Sequence, residues 1–344
     1  MENITQMEKS KKIPQLRILA TSYCGRRCIY CRPSGEGAGG SEVNSVNLDL
    51  VIKIAKIYKK YGGNEIKISG GDPIFWHDIV KCVHVLKHEI GIKSVELITR
   101  SPKISEKIDD LINSGLDILN FSLDTIDREK FSKITLVDDF DELYEAIKYC
   151  SKKNVQLKLN TVVMKKINDD EINDIISFCR EMNFKQVKLL DIISDLHNSD
   201  INNGGLLKKE YDMNLDDLYI PLEEITQSIK NKAVSSQIIY QGGLGHPMNK
   251  YVYEDGLEIV AKDSMNGAWY GLTCKKCKYY PCHDALMALR LTSDSKLQFC
   301  LMRDDNCIDL KDLNDEELEM KFVQALKIYE DAYFVGNGVI ENEE

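Results

Sequence analysis

From about residue 15 to residue 230, short apolar runs alternate with stretches whose apolar positions recur every three to four residues. The runs predict strands over Leu16–Ala20, Glu65–Ser69, Ser94–Thr99, Ile118–Leu123, Gln156–Val163 and Gln186–Asp191. The periodic stretches predict helices over Leu48–Tyr61, Ile79–Glu89, Ile104–Ser114, Phe140–Lys153 and Asp170–Met182. A regular strand-then-helix order requires right-handed crossovers and a parallel sheet covered by helices. Six such units fall short of the eight of a closed barrel. The pattern fits a partial (β/α)6 TIM-like barrel or a doubly wound sheet, and in both ligands collect at the carboxyl ends of the strands.

After about residue 192 the order changes. Residues 192–220 carry Asn198, Asn202, Asn203, Gly204 and Gly205 and read as a connecting region. A short helix is expected over 221–230, short strands over 236–310, and an amphipathic helix from Asp315 to Tyr333. The expected division is a disordered N-terminal segment (1–14), a barrel (15–220), a smaller C-terminal region (221–336) and an acidic tail (337–344). At 344 residues the chain is long enough for one large unit and a smaller one.

A net charge of −10 argues against a dedicated nucleic-acid binder, which needs a Lys/Arg surplus. No run of about 18 apolar residues predicts a membrane span. The first 14 residues lack the apolar core of a secretory signal. A cytoplasmic location with reduced thiols is therefore expected, and the 11 cysteines become the informative feature. Cys24, Cys28 and Cys31 lie together; Cys274, Cys277, Cys282, Cys300 and Cys307 form a second group. Cys82, Cys150 and Cys179 fall on helical patterns and are expected in the core.

Two thiol clusters in a reducing compartment point to metal sites. Cys24-x3-Cys28-x2-Cys31 follows the first strand directly, and three thiolates on one tight loop reach three corners of a cubane iron–sulfur cluster. That leaves one iron open for a ligand. Zinc ordinarily takes four protein ligands in a structural site, and the nearest histidine is His77. The loop continues into Arg32–Gly40, whose glycines are expected to form a flexible cover.

This spacing, with Tyr30 before the last cysteine, resembles the signature of the radical S-adenosylmethionine (radical SAM) enzymes. Ser69-Gly70-Gly71-Asp72-Pro73 is similar to their Gly-Gly-Glu-Pro motif, with Asp72 in place of Glu. The resemblance implies that Gly70 and Gly71 let the backbone approach the methionine amino group while Asp72 accepts a hydrogen bond from it. It further implies that Ser122 and Asp124 lie at the ribose and that Asn160, with Lys188 and Tyr30, lies at the cofactor. The implied chemistry is reductive cleavage of S-adenosylmethionine at a 4Fe-4S cluster. The resulting 5′-deoxyadenosyl radical then abstracts hydrogen from a substrate.

The second group reads Cys274-x2-Cys277-x4-Cys282-x17-Cys300. Spacing alone is compatible with zinc or iron–sulfur. Leu289-Arg290-Leu291-Thr292, Asp294, Lys296-Leu297 and Cys300-Leu301 resemble the C-terminal segment of the GTP 3′,8-cyclase family of molybdenum cofactor biosynthesis. So do Leu16-Arg17, Asn120-Phe121-Ser122-Leu123-Asp124 and Lys158-Leu159-Asn160. That resemblance implies a second 4Fe-4S cluster, in a SPASM/twitch-like region with Cys274, Cys277, Cys282 and Cys300 as ligands. The cyclases space three cysteines C-x2-C-x13-C, and their open iron holds the purine. A fourth thiolate here would saturate the cluster.

Several cations of the cyclase pattern are replaced, by Glu65, Trp76 and Ala288, while Arg17, Lys67 and Arg290 remain as candidate substrate contacts. The chain ends Asn342-Glu343-Glu344 instead of in the cyclase Gly-Gly, and 23 residues ahead of Cys24 leave no room there for a cobalamin-binding domain. The main expectation is a radical SAM enzyme acting on a biosynthetic small molecule or peptide, with an electron donor such as flavodoxin or ferredoxin. The alternatives are GTP 3′,8-cyclase, a peptide-modifying maturase, and a zinc-stapled binding protein without turnover.

Overall fold

The computed structural model describes residues 13–31, 44–193, 212–241, 244–282, 284–303 and 305–336. The N-terminal segment, the glycine-bearing stretch after Cys31, most of the 192–220 connection, His283 and the acidic tail lie outside the described residues.

Six strands follow the expected pattern: β1 (Gln15–Leu19), β2 (Glu65–Ser69), β3 (Ser94–Thr99), β4 (Ile118–Ser122), β5 (Gln156–Val162) and β6 (Gln186–Leu190). Each pairs in parallel with the next. Helices α1 (Leu48–Lys60), α2 (Ile79–His84, continuing as a π turn over Val85–Glu89), α3 (Ile108–Asn113), α4 (Arg128–Thr135), α5 (Phe140–Cys150) and α6 (Ile172–Glu181) make the crossovers. In α1 the local chemistry is complete. The Asn47 side chain accepts from Leu50 N, Lys59 and Lys60 occupy the last turn, and Val51, Ile54, Ala55 and Tyr58 form the buried stripe.

The sheet does not stop at six strands. After α7 (Leu222–Lys232), the C-terminal region supplies β7 (Ser235–Gln241), β8 (Leu244–Val252), β9 (Glu258–Lys262), β10 (Ala268–Tyr270), β11 (Ala288–Leu291), β12 (Lys296–Gln298) and β13 (Cys307–Asp309). Helix α8 (Asp315–Glu330) and β14 (Tyr333–Val335) follow. Strand β9 pairs in parallel with β6, and β11 in parallel with β1. The order β13-β12-β11-β1-β2-β3-β4-β5-β6-β9-β8-β7 is an open, curled partial barrel whose two flanks come from residues beyond 221. The C-terminal region is thus hydrogen-bonded into the barrel sheet.

The two faces of this sheet differ. Leu16, Ile18, Ile66, Ile68, Val95, Leu97, Leu119, Leu157, Leu159, Val187 and Leu189 form one apolar cluster with the helices. The alternate positions, Arg17, Lys67, Glu96, Asn120, Lys158, Asn160 and Lys188, face the concave side by the two-residue period of a strand. Parallel sheets are usually apolar on both faces. Here the concave side is polar, which is what a barrel lumen that receives a ligand requires.

Candidate functional site

The cysteine loop leaves β1 and is laced to the ends of the neighbouring strands. Ala20 N donates to Ser69 O (2.8 Å), Gly71 N to Thr21 O (2.7 Å) and Asp72 N to Tyr23 O (2.7 Å). The Gly-Gly pair is required by this contact. A Cβ on Gly71 would stand 2.3 Å from Tyr23 O, and one on Gly70, whose φ is +128°, 2.6 Å from Thr21 O. The glycines therefore let the β2 loop lie directly against the cysteine loop.

From the other side, Arg27 N donates to Thr135 O (3.2 Å) and Ile29 N to Ile134 O (2.9 Å), at the end of α4. Arg26 reaches Asp139 (2.9 Å) and Arg100 O (2.6 Å). Cys31 N closes a turn on Cys28 O (2.9 Å). The loop thus projects three thiols: Cys28 buried, Cys24 and Cys31 half-buried. None of the eleven cysteines forms a disulfide.

At the centre is Arg100, directly after β3. Its Nη1 donates to Cys28 Sγ (2.9 Å), its Nη2 to Tyr30 Oη (2.8 Å), and Nη1 lies 3.4 Å from Asp124 Oδ2. Tyr30 Oη donates to Asp124 Oδ2 (2.7 Å), and Asp124 Oδ1 accepts from Val162 N (3.0 Å). Burial pushes the Cys28 thiol up, and the guanidinium partly offsets that. Burial, with Asp72 next, pushes Cys24 up to about 11. Three thiols on one loop beside a fixed cation suit a group that takes them as thiolates. The donor set therefore fits three-point ligation of an anionic iron–sulfur cluster.

The polar residues expected at the cofactor divide. Ser122, Asn160 and Lys188 occupy one row across β4, β5 and β6. Asp72 departs from expectation. Its carboxylate accepts from Ile74 N (3.2 Å), from Thr99 Oγ1 (2.7 and 2.9 Å) and from Arg100 N (2.9 Å), so its oxygens are committed within the protein. It thereby ties the β2 and β3 loops together. Lys188 is midway along β6 and lines a cavity of about 480 Å³ with Lys67, Glu96, Asn120, Lys158 and Asn160. It belongs with the lumen charges.

Arg17 stands between Arg290 and Lys67 in register. Arg290, expected at the substrate, is fully buried; Nη2 is 3.8 Å from Asp284 Oδ1 and Nη1 donates to Phe299 O (3.3 Å). Asp284 also accepts from Leu301 N. This pair braces the segment that carries Cys300.

In the second group, Cys274, Cys277, Cys282 and Cys300 line one small cavity with Tyr270, Tyr280 and Arg303. Tyr270 Oη donates to Cys282 O (2.7 Å). Among the described residues, no three His, Cys, Asp or Glu side chains are arranged to hold a single metal ion. Cys307 is on β13, hydrogen-bonded opposite Gln298. Cys82, Cys150 and Cys179 are buried on α2, α5 and α6, as expected. The sequence reading passed over Arg100, Arg26, Glu96 and α4. Arg100 had a signal, a lone cation at the carboxyl end of a parallel strand.

The fold and this loop define a class: a partial-barrel α/β enzyme with a three-thiol loop at the carboxyl ends of its strands. The radical SAM superfamily model matches residues 18–179. A probable GTP 3′,8-cyclase of Saccharolobus islandicus is 30% identical over 331 residues, covering 93% of this chain and 96% of that protein. A probable GTP 3′,8-cyclase of Methanocella arvoryzae is 29% identical over 318 residues, covering 92% and 90%. In fold, native anSMEcpe with bound AdoMet and the Kp18Cys peptide superposes with a TM-score of 0.53 at 15% identity, covering 91% of this chain and 83% of that one.

The chain belongs to the radical SAM superfamily, among relatives of the probable GTP 3′,8-cyclases. It is a radical SAM enzyme, in which a 4Fe-4S cluster supplies the electron that cleaves S-adenosylmethionine to the hydrogen-abstracting 5′-deoxyadenosyl radical. That membership sets aside the reading as a binding protein without turnover. No helix among the described residues is long and apolar enough to cross a membrane.

Proposed function

We propose that Cys24, Cys28 and Cys31 hold the 4Fe-4S cluster, and that S-adenosylmethionine lies over Gly70-Gly71, Ser122 and Asn160. The substrate is a biosynthetic small molecule with an anionic group, received by the polar lumen. The observation that carries this reading is the Arg100 guanidinium on Cys28 Sγ at 2.9 Å, within a loop tied to β2, β3 and β4. Arg100 opposes the build-up of negative charge at the thiolates. Asp124 and Tyr30 fix that guanidinium, Asp72 fixes the strand-end loops, and Arg17 and Lys188 orient the substrate's anionic end.

Cys274, Cys277, Cys282 and Cys300 hold a second 4Fe-4S cluster in this reading. Their shared cavity supports one common site, and the resemblance of the Leu289–Leu301 segment to the cyclases favours a cluster over zinc. Four thiolates leave no iron open, so this cluster conducts electrons or organises the fold. A reductant such as flavodoxin or ferredoxin supplies the electron in the cytoplasm.

GTP cyclisation is the second reading, favoured by relatives that match over about nine-tenths of the chain. Reduced enzyme with S-adenosylmethionine and GTP separates the two. The main reading expects 5′-deoxyadenosine without a cyclised nucleotide; a cyclised product establishes the second.

A further inference from the structure

Among the described residues lining the lumen cavity, Glu65 is an exposed carboxylate at the start of β2 and Glu96 is a buried one set among cations. Glu96, on β3, is 4% exposed. Its Oε1 is 3.1 Å from Lys67 Nζ and accepts from Asn120 Nδ2 (2.7 Å), and its Oε2 is 3.7 Å from Lys158 Nζ. Burial would raise this carboxyl, but the two ammonium groups and the amide together bring it down to about 2. Glu96 is therefore a permanent charge on the wall of the 480 Å³ cavity. Lys188 lines the same cavity, with Arg17 close enough to act on its charge. Burial holds the Lys188 ammonium well below its ordinary range, and Lys67, Lys262 and Arg17 push it further down.

A ligand in this cavity meets two cations already turned toward Glu96. To use them, a polyanion must pull both away and leave a buried carboxylate facing its own charge, an arrangement penalised in a low-dielectric site. A ligand with one phosphate or carboxylate can draw a proton onto Lys188, on the same wall, and leave the Glu96 pairs intact. We infer that Glu96 is the specificity-determining residue of the lumen, reserving Lys67 and Lys158 so that the site takes a substrate with a single anionic group and turns away polyphosphates. The inference rests on the lumen being the substrate site, and it assigns to Glu96 a role apart from the cluster.

The test is calorimetric titration of anaerobic, reconstituted holoenzyme with inorganic tripolyphosphate and with orthophosphate. It compares wild type, Glu96→Gln, Glu96→Asp and the double variant Glu96→Gln/Lys67→Gln, with thermal unfolding to verify the fold of each. Glu96→Gln should bind tripolyphosphate about tenfold more tightly or better and orthophosphate by less than about threefold, because the gain scales with ligand charge. Glu96→Asp, which keeps the charge, should stay near wild type, and the double variant should lose the gain. Equal gains for both anions, or wild type already matching Glu96→Gln on tripolyphosphate, would overturn the role of Glu96 while keeping the lumen as an anion site. If no variant binds either anion at millimolar concentration, the lumen reading itself fails, and the inference with it.

Discussion

The two cysteine groups are assembled in opposite ways. The first places three thiols within eight residues, on one loop after β1, and the rest of the barrel is arranged around that loop. The second collects four thiols over 27 residues, from separate turns around one small cavity. Each has an arginine among its sulfurs, with different surroundings. The Arg100 side chain is 14% exposed and shares Tyr30 and Asp124; the Arg303 side chain is 30% exposed, reaches Cys277 and pairs with the surface residue Asp305. What anchors the second group is deeper: the Asp284–Arg290 pair, with both side chains fully buried. The comparison teaches that a three-thiol site needs outside scaffolding and leaves a position open for a ligand. On the proposed assignment a four-thiol site closes on itself, with the Asp284–Arg290 pair behind the segment that carries Cys300.

The sharpest way to break this contrast is to remove one thiol from each group. Cys24→Ala, Cys28→Ala or Cys31→Ala should reduce 5′-deoxyadenosine formation to background in an anaerobic assay with dithionite. Retained cleavage in any of the three would dissolve the distinction. Cys282→Ala should lose about four of about eight iron atoms while the first cluster remains, read by iron and sulfide analysis. Full iron content after that change would remove Cys282 from the ligand set.

The buttress is the next test. Asp284→Asn leaves the Arg290 charge buried without its partner and should cost about 3–5 kcal/mol of stability in denaturant unfolding. A loss below about 1 kcal/mol would mean that the pair does not secure the second group.

Much of the first site was legible because its signals are local: a fixed cysteine spacing, a Gly-Gly after a strand, carboxyl ends of strands in order. Strands β2 and β3 were placed to the residue for a similar reason, since their apolar and polar positions alternate locally, Ile66 and Ile68 in β2 and Val95 and Leu97 in β3. The scaffold around the loop was not legible. Helix α4 carries six charged or hydroxyl side chains among its eight residues, so its apolar period is faint, yet its last carbonyls hold the cysteine loop. The reach of Arg100 to Cys28 spans 72 positions, and no sequence period encodes a contact of that kind. The burial of Arg290 against Asp284 was not legible either, because an arginine on a strand carries the same letter whatever it faces.

The smallest expected effect compares the two arginines. Arg100→Gln should lower the midpoint potential of the first cluster by on the order of tens of millivolts, because it withdraws a buried positive charge and a hydrogen bond to sulfur. Arg303→Gln should shift the second cluster less, since solvent already screens that charge. An equal shift in both would erase the electrostatic part of the comparison.

The most direct measurement is Mössbauer spectroscopy of the anaerobically reconstituted protein with and without S-adenosylmethionine, in wild type and in Cys282→Ala. The account predicts about eight irons per chain in wild type, with S-adenosylmethionine changing the signal of one iron in one cluster. The same change should persist in Cys282→Ala, where only the first cluster remains. A change confined to the second cluster, or none in either, would contradict the claim that the three-thiol loop holds the open, working centre.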